Sequence, residues 1–447
     1  MKFFFETYGC QMNIAESASL ALAARERGWE ECGSAEEANL ILLNTCSVRA
    51  TAEQRVMGRL AHYAALKKKL KQGVVPFTFV LAGCMAERVG EKLKKQFPAL
   101  DYTMGTQERS NFPLILEAVE QGRAFTETEE IPAFSFSPVH YDKGNPFRSF
   151  IPIMHGCNNF CSYCIVPHVR GREISRCPDA ILEEVRLVGE RGVREITLLG
   201  QNVNAYLWKG DNGEIFNFPG LLGLISRNIE KSGIKWVRFL SSHPKDFSIE
   251  AINVLKENQA FCRHIHLCVQ HGSNKILKDM NRRYTREEYL ALVSRLKEAM
   301  PDITLSTDIL VGFPGETEED LEETLALMEE VKFLYAYMYH YNPREGTYAF
   351  SLPGRISHDE KIKRLSRVIS LQKKHSSELL KSRIGKEVKV LIEGISRKNA
   401  DELICRTERD EMVVVPGCAS LIGSFGNCAL SSLRGNTFRS KDVILLE

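Results

Sequence analysis

The sequence predicts an α/β protein whose 447 residues form an N-terminal parallel α/β domain, a partial (β/α)6 barrel and a small C-terminal antiparallel β-barrel. Three observations predict this class. Apolar runs of strand length alternate with helical segments in the first 130 residues, and the alternation resumes between 147 and about 343. From 385 onward there are only short β-rich runs, which glycine and asparagine separate.

The predicted domain boundaries follow from the breaks in this pattern. We expect the N-terminal domain at 1–130, the barrel with a closing basic helix at 147–384, and the small β-barrel at 385–447. Residues 131–146 contain serine, proline and glycine without a helical period, which indicates a linker.

Each of the three predicted N-terminal strands ends in a cysteine, in TYGC, LNTC and LAGC, which places Cys10, Cys46 and Cys84 at strand ends. Because the carboxyl ends of parallel strands lie along one edge of a sheet, these three thiols can converge. Gly9 and Gly83 would let the backbone approach a bulky inorganic group. The geometry therefore predicts a shared metal site, with buried structural thiols as the alternative.

The predicted barrel has six strand candidates: SFIPIMH, REITLLG, KWVRFLS, HIHLCVQ, ITLSTDILV and AYMYHYN. Between them lie helical segments, which favours parallel strands in a barrel that is open on one side. Pro178 occupies a first-turn position of one helix, and Thr317 with Asp320 resembles a capping box that opens another at 318–331.

Composition excludes several classes of protein. A hydrophobic fraction of 44% is ordinary for a globular chain, and no apolar run approaches the ~18 residues of a membrane span. Thirteen cysteines without a secretion signal favour metal ligation in a reducing cytoplasm. Residues 358–386 hold nine Lys/Arg against three acids, which indicates either a polyanion partner or a solvated helix face.

The most informative motif is Cys157-x3-Cys161-x2-Cys164 in HGCNNFCSYCIVPHVRG. Three thiolates at this spacing can hold three irons of a [4Fe–4S] cluster and leave the fourth iron open to a substrate. A zinc site would need a fourth ligand, for which His168 is the nearest candidate. A redox pair of Cys161 and Cys164 would leave Cys157 unexplained.

Several motifs together resemble one enzyme family. YGCQMN, NTCSVR, the cysteine triplet with Tyr163 before its last cysteine, LLGQNVNAY, HIHLCVQHGS and TDILVGFPGET resemble the methylthiotransferases, a branch of the radical S-adenosylmethionine (SAM) enzymes. The resemblance covers essentially the whole chain, and its C-terminal part resembles the RNA-binding TRAM module. Gln11 and Met12 match the branch that acts on tRNA.

The resemblance implies the cofactors and their ligands. Two [4Fe–4S] clusters and SAM are expected. Cys157, Cys161 and Cys164 would hold the cluster that binds SAM, and Cys10, Cys46 and Cys84 an auxiliary cluster. Each cluster would keep one iron without a protein ligand.

The resemblance also implies the reaction, which is the addition of a methylthio group to C2 of N6-isopentenyladenosine next to the tRNA anticodon. One SAM would methylate sulfur carried on the auxiliary cluster, and cleavage of a second would give the radical that removes hydrogen from C2. We predict no catalytic side chain, because the clusters and SAM carry the chemistry. The implied partners are the anticodon stem-loop of tRNA, an electron donor protein and a sulfur or cluster donor protein.

Individual contacts are predicted from residue type and position. For SAM these are Tyr163 near the adenine, Arg176 at the carboxylate, and Gln201, Asn202, Gln270 and Asp308 near strand ends, with structural hydrogen bonds and ion pairs as the alternative. For RNA phosphates these are Arg397, Lys398, Arg406 and Arg409, with solubilising surface charges as the alternative.

The chain departs from the family pattern at a few positions, and two other functions stay open. His155 stands in place of an acidic residue, and Cys268 and His271 in place of proline and serine. These departures leave open whether the isopentenyl group is hydroxylated. The alternatives are a methylthiotransferase that acts on a ribosomal protein, and a non-catalytic iron–sulfur RNA-binding sensor.

Overall fold

The computed structural model describes residues 1–47, 50–70, 77–123, 136 and 146–446. The chain divides into two compact units. Unit 1 contains Met1–Asp142, Phe150–Asn158 and Ile165–Arg176, and unit 2 contains Lys143–Ser149, Asn159–Cys164 and Cys177–Glu447. The predicted linker at 131–146 lies outside the described residues, apart from residues 136 and 146.

Unit 1 is built on a parallel sheet of five strands, in the order β2-β1-β3-β4-β5. The strands are β1 (Lys2–Tyr8), β2 (Glu30–Glu31), β3 (Leu40–Thr45), β4 (Thr78–Gly83) and β5 (Tyr102–Met104). The helices are α1 (Gln11–Glu26), α2 (Ala50–Leu70), α3 (Cys84–Gln96) and α4 (Phe112–Glu120). The parallel α/β pattern that the sequence predicts for this region is therefore present.

The central strand β3 is buried on both faces of the sheet. Leu40 and Leu42 pack into one apolar cluster, whereas Ile41 and Leu43 pack into another on the opposite face. All four are fully buried. Because both faces of the strand are buried, successive residues must all be apolar, which explains the sequence LILL.

Short elements follow in residues 148–176. They are β6 (Arg148–Pro152), β7 (Met154–His155), α5 (Val166–Arg170) and β8 (Ile174–Ser175). The single strand predicted at SFIPIMH is thus two strands. The reason lies in its second half, where β7 pairs antiparallel with β8.

Parallel strands of unit 2 alternate with helices as predicted. The strands are β9 (Glu195–Leu199), β12 (Trp236–Phe239), β13 (His264–His266), β14 (Thr304–Val311) and β15 (Tyr335–His340). The helices are α6 (Pro178–Glu190), α7 (Phe218–Ile229), α8 (Ile249–Glu257), α9 (Asn274–Asp279), α10 (Arg286–Ala299), α11 (Glu318–Val331) and α12 (His358–Lys381). β9 pairs with β12 and β14 with both β13 and β15, all in parallel.

Local signals in unit 2 behave as the sequence predicts, with one hairpin missed. Pro178 begins α6, and Thr317 and Asp320 form the capping box of α11. The hairpin of β10 (Leu207–Lys209) and β11 (Ile215–Asn217) was not predicted. Its signal is the sequence DNG, because Gly213 turns the chain at a φ of 84°.

The C-terminal part forms a seven-stranded sheet in the order β20-β21-β18-β17-β16-β19-β22. The strands are β16 (Glu387–Ser396), β17 (Asn399–Thr407), β18 (Met412–Pro416), β19 (Phe425–Ala429), β20 (Ser432–Arg434), β21 (Thr437–Arg439) and β22 (Ile444–Leu445). The pairing is antiparallel as predicted, except that β21 runs parallel to β18. This exception arises because β21 is the return strand of the β20–β21 hairpin.

Candidate metal centres

Three cysteines of unit 1 lie at one edge of its sheet. Cys10 follows β1, Cys46 follows β3, and Cys84 follows β4 as the first residue of α3. These strands are direct neighbours, and their last residues are in register, with Tyr8 beside Thr45 and Thr45 beside Gly83. Neighbouring strands are about 4.8 Å apart, so the geometry brings the three thiols together.

The pKa values of two of these thiols are shifted in opposite directions. A hydrogen bond with Cys46 and the positive charge of Arg170 lower the pKa of Cys10 to about 6, against the effect of burial. Burial raises the pKa of Cys84, although Arg170 opposes that rise. A metal ligand must be a thiolate, so a nearby cation and a partner thiol favour metal binding at this edge.

The motif that contains Cys10 orients its thiol through an asparagine that sequence reasoning did not single out. Asn13 Oδ1 accepts hydrogen bonds from the backbone N–H of Cys10 at 3.3 Å and from its Sγ at 3.4 Å. Asn13 in turn donates to Asn44 Oδ1 at 3.1 Å, and Asn44 donates back to the carbonyl of Asn13 at 3.0 Å. The signal was present in YGCQMN, where Asn13 lies one helical turn after the cysteine.

The glycines before two of these cysteines have a packing role that the sequence did not predict. A Cβ on Gly9 would lie 2.2 Å from Asn13 Oδ1. At Gly83, where φ is 90°, a Cβ would lie 2.4 Å from Asn44 Oδ1 and 2.5 Å from the carbonyl oxygen of Thr45. Both glycines are therefore needed for the close approach of the asparagine pair.

A buried charge cluster lies in unit 1 beside the cysteine trio. Arg170, at the end of α5, donates to Glu16 of α1 at 2.7 Å, and both residues are at most 3% exposed. Arg109 makes a second ion pair with Glu16 at 3.4 Å. Burial would raise the pKa of Glu16, but Arg170 and Arg109 hold it below its usual value. Two arginines against one carboxylate leave a net positive charge, which favours thiolates or an anionic sulfur ligand.

His155, which departs from the family pattern, borders this cluster. Its Nδ1 lies 3.5 Å from Arg170 Nη1. Burial and the charges of Arg170 and Arg109 lower its pKa well below the usual value, so the ring is neutral at physiological pH. A neutral ring is compatible with two neighbouring guanidinium groups.

The cysteine triplet divides between the two units. In unit 1, the backbone N–H of Cys157 donates to the carbonyl of Gly171 at 3.2 Å. In unit 2, Cys164 donates through its backbone to Cys161 at 2.9 Å, and Cys161 is buried. Two hydrogen bonds join this loop to the segment after α9. The backbone N–H of Ser162 donates to the carbonyl of Met280 at 3.0 Å, and the side-chain amide of Asn281 donates to the carbonyl of Phe160 at 2.9 Å.

Two side chains of unit 2 lie near Cys161, the buried Arg282 and the half-buried Tyr163. Arg282 donates from Nη1 to Cys161 Sγ at 3.3 Å, from Nη2 to the carbonyl of Cys268 at 2.7 Å, and from Nε to Tyr284 Oη at 3.1 Å. Tyr163 packs against the cluster of Ile276, Met280 and Phe313, where burial raises its pKa well above the usual value. Sequence reasoning missed Arg282, because it lies 121 residues from Cys161.

The structure places the other SAM candidates as follows. Arg176 donates to the carbonyl of Pro152 at 3.4 Å and lies over the Phe136 ring in unit 1. Asn202 donates to Asp246 at 2.7 Å and accepts from the backbone of His243 at 3.2 Å, so its amide already has structural partners. Gln201 directly precedes Asn202, after the end of β9. Gln270 has a φ of 70°, and its backbone donates to the carbonyl of Asp308 at 2.9 Å.

The RNA candidates separate into two kinds. Arg397 and Lys398 are exposed at the turn between β16 and β17. Arg406 instead pairs with Glu393 at 3.0 Å and with Asp410, and Arg409 pairs with Asp302 at 3.1 Å. The charges of the exposed turn are the more available for phosphate.

Three family models match the chain in the order of its parts. They are an uncharacterised protein family, UPF0004, at residues 2–105, the radical SAM superfamily at 151–328, and the TRAM domain at 381–440. The predicted fold class is thereby confirmed.

Full-length relatives decide the family. A tRNA-2-methylthio-N(6)-dimethylallyladenosine synthase of Treponema denticola is 49% identical, and the match covers 98% of this chain and 99% of the relative. A synthase of the same name from Bacteroides fragilis (strain ATCC 25285) is 42% identical, and the match covers 99% of this chain and 96% of the relative. The chain belongs to the tRNA-2-methylthio-N(6)-dimethylallyladenosine synthase family. Membership in this synthase family confirms the predicted resemblance, and neither alternative function is favoured.

Solved structures agree with the fold of this synthase family. A radical SAM methyltransferase, TsrM, from Kitasatospora setae with cobalamin and a [4Fe–4S] cluster bound has a TM-score of 0.54 at 15% identity, covering 76% of this chain and 74% of that one. OxsB, a cobalamin-dependent SAM radical enzyme, has a TM-score of 0.51 at 11% identity, and the match covers 84% of this chain and 56% of that one. At such identities, these matches concern the fold alone.

Proposed function

We propose that the protein is a radical SAM tRNA methylthiotransferase that adds a methylthio group to C2 of N6-isopentenyladenosine next to the anticodon. Full-length similarity to synthases that carry this activity in their name supports the reaction and the substrate. The observation that carries the proposal is the meeting of Cys10, Cys46 and Cys84 at one sheet edge, beside the buried guanidinium of Arg170.

The cofactors are two [4Fe–4S] clusters and SAM. When bound, they supply one-electron cleavage of SAM and a carried sulfur atom. Cys10, Cys46 and Cys84 hold the auxiliary cluster, and Cys157, Cys161 and Cys164 hold the cluster that binds SAM. The donor sets fit, since each trio provides three thiols and leaves one iron open.

The protein's own residues hold and neutralise these groups. Arg170 offsets the negative charge of the thiolates that follow β1 and β4, and Asn13 orients Cys10. Arg282 donates to a thiolate of the other trio. These buried groups replace the hydrogen bonds that water would otherwise make to sulfur.

The proposed SAM contacts are residues near strand ends, together with Arg176. Tyr163 packs near the adenine, Asp308 accepts from a ribose hydroxyl, and Arg176 pairs with the carboxylate. Gln201 and Gln270 are further contacts, whereas Asn202 acts by holding Asp246 and the backbone of His243 in place.

The partners follow from the reaction. The tRNA anticodon stem-loop is bound in part by phosphate contacts of Arg397 and Lys398. Arg406 and Arg409 contribute less, because carboxylates of the same chain neutralise them. An electron donor protein supplies the reducing equivalent, a sulfur or cluster donor protein restores the sulfur, and the enzyme works in the cytoplasm, where its tRNA is found. None of the described helices is both long and apolar enough to span a membrane.

The experiment that tests this proposal measures iron, sulfide and the tRNA product. Protein reconstituted without oxygen should hold about eight irons per chain, and tRNA from a strain that lacks the gene should lack the methylthio nucleoside. The triple variant Cys10→Ala, Cys46→Ala, Cys84→Ala should keep about four irons and still cleave SAM, but form no methylthio nucleoside.

The matched control is Cys32→Ala, which removes another thiol of unit 1. Cys32 lies after β2, outside the trio, and should keep about eight irons. Equal iron in the triple variant and in the wild type would contradict the ligand assignment of the trio. Normal modification in the deletion strain would contradict the function.

A further inference from the structure

A third set of metal-binding groups lies inside unit 2 and shares no residue with either cysteine trio. His266 Nε2, Cys268 Sγ and a carboxylate oxygen of Asp308 all lie within 4.8 Å of one another. Cys268 stands where the family resemblance leads us to expect proline.

The backbone explains why these three side chains meet. His266 ends β13 and pairs in parallel with Ser306 of β14. Cys268 and Asp308 are each two residues further along, and side chains two residues apart on an extended chain share one face. His266 and Asp308 therefore come from two neighbouring parallel strands, and Cys268 comes from the residues directly after β13.

The orientation of His266 suits a metal ligand. Its Nδ1 lies 3.0 Å from the hydroxyl oxygen of Ser306, and the residue is only 8% exposed. A partner at Nδ1 fixes the ring and leaves Nε2 to face the ligand site, which is how metal-binding histidines are usually oriented. The Tyr337 ring packs edge-on against the imidazole at 5.6 Å and limits its rotation.

The distance between His266 and Asp308 suits a tetrahedral ion. His266 Nε2 lies 3.6 Å from Asp308 Oδ2. Zinc bonds of about 2.0–2.3 Å place tetrahedral ligand atoms roughly 3.3–3.7 Å apart. Ions such as Mg²⁺ and Ca²⁺ require oxygen ligands throughout, whereas a thiolate with an imidazole and a carboxylate suits Zn²⁺.

We propose that His266, Cys268 and Asp308 form a mononuclear Zn²⁺ site with a fourth position left for water or another ligand. The site shares no ligand with the proposed clusters, although Arg282 donates both to Cys161 Sγ and to the carbonyl of Cys268. Asp308 is also our proposed ribose contact, so SAM and the zinc ion would compete for it. The site therefore belongs to the SAM-free enzyme.

The test uses the full chain with both clusters reconstituted and no SAM present. One equivalent of zinc sulfate is added, loosely held metal is removed with a weak chelator, and zinc is measured by mass spectrometry. We expect one zinc per chain. X-ray absorption at the zinc edge should show one sulfur and at least two nitrogen or oxygen ligands, and this edge is unaffected by iron.

Variants make the test specific. Cys268→Ala and Asp308→Asn should each weaken zinc retention at least tenfold, while iron content stays that of the wild type. Cys268→Ser, which preserves the shape of the side chain, provides a second loss variant in case the alanine variant does not fold. The control is Cys418→Ala, which removes an exposed thiol of the C-terminal sheet and should retain one zinc.

Three outcomes would overturn the proposal. They are a wild-type chain that retains no zinc, retention that Cys268→Ser leaves unchanged, and a ligand shell of three or four sulfurs. The last result would mean that zinc had displaced iron from a cysteine trio.

Discussion

Arg282 donates a hydrogen bond from Nη1 to the Sγ of Cys161 at 3.3 Å, and both residues are buried. A cation that donates to a thiolate stabilises the more negative state of a cluster bound to that thiolate. The reduced cluster is that state, so Arg282 would raise the reduction potential of the cluster that we propose for Cys157, Cys161 and Cys164. The same guanidinium holds the carbonyl of Cys268, which links the cysteine loop to the end of β13.

We predict that Arg282→Met lowers the reduction potential of the cluster that we propose Cys161 binds. A hydrogen bond to a charged group contributes about 1.5 kcal/mol, and for a one-electron couple this is on the order of 60 mV. An EPR-monitored redox titration of the reconstituted protein measures the shift, and Arg282→Lys should recover part of it. The control is Arg283→Met, an exposed neighbour that should leave the potential unchanged. A potential equal to that of the wild type in Arg282→Met would contradict this role.

We predict that Arg170→Met destabilises unit 1 by about 3–5 kcal/mol, because it leaves the buried carboxylate of Glu16 with a weaker partner. Hydrogen–deuterium exchange of strands β1, β3 and β4 should speed up accordingly. The double variant Arg170→Met with Glu16→Gln should recover part of the loss, since the buried carboxylate is then neutral and only the half-buried Arg109 loses its ion pair. Unchanged exchange in the single variant would show that the pair does not stabilise the sheet.

The stability of unit 2 should depend on pH through Asp320. Burial raises the pKa of Asp320, but hydrogen bonds from Lys275, Ser273 and Thr317 outweigh burial and bring the pKa to about 2, below its usual value of 3.8. A depressed carboxyl pKa stabilises the fold above the unfolded value, and this stability is lost as the pH falls from about 4 toward 2.

The variant Asp320→Asn tests this dependence. Above pH 5, it should be less stable than the wild type by about 1–2 kcal/mol, a figure reduced for the solvent around the half-exposed Lys275. The difference should shrink below pH 4. Urea unfolding titrations between pH 3 and pH 7 measure this difference, with Glu323→Gln, an exposed substitution on the same helix, as the control. A difference that stayed constant over this range would refute the assignment.

The two kinds of arginine in the C-terminal sheet should behave differently toward tRNA. The affinity for tRNA falls as salt rises, so a plot of log affinity against log salt has a negative slope. Replacing Arg397 and Lys398 by glutamine should make this slope less steep by about 1.4–1.8, if each residue contacts one phosphate. Arg409→Gln should change the slope little, because Asp302 already neutralises that charge. Binding of unmodified tRNA at several salt concentrations measures both slopes. Equal slopes for the wild type and the double variant would remove these residues from the interface.

Much of the fold was predictable from local patterns. Alternation of strands and helices, the capping box of Thr317 and Asp320, and the long basic helix α12 are all encoded in neighbouring residues. The positions of Cys10, Cys46 and Cys84 followed from one rule about parallel strands. The hairpin β10–β11 and strand β21 escaped prediction because each has only three residues per strand, too few to show a period.

The partners of the candidate sites could not be predicted in the same way. Arg170 meets Glu16 across 154 residues, and Arg282 meets Cys161 across 121. Periodicity and motif spacing cannot predict either pair, because an arginine on a short helix or in a turn would be predicted to lie at the surface. The availability of Arg397 compared with that of Arg406 likewise depends on carboxylates that only the folded sheet brings near.

By itself, the sequence determined the order of strands and helices, the family motifs and the two trios of thiols, because these depend on residue type and local spacing. Only the tertiary structure decided which charges are buried beside those thiols, why Gly9 and Gly83 must be glycine, and that His266, Cys268 and Asp308 share one face. The physical reason is that burial and charge pairing depend on distances between remote segments, and chain packing alone sets those distances.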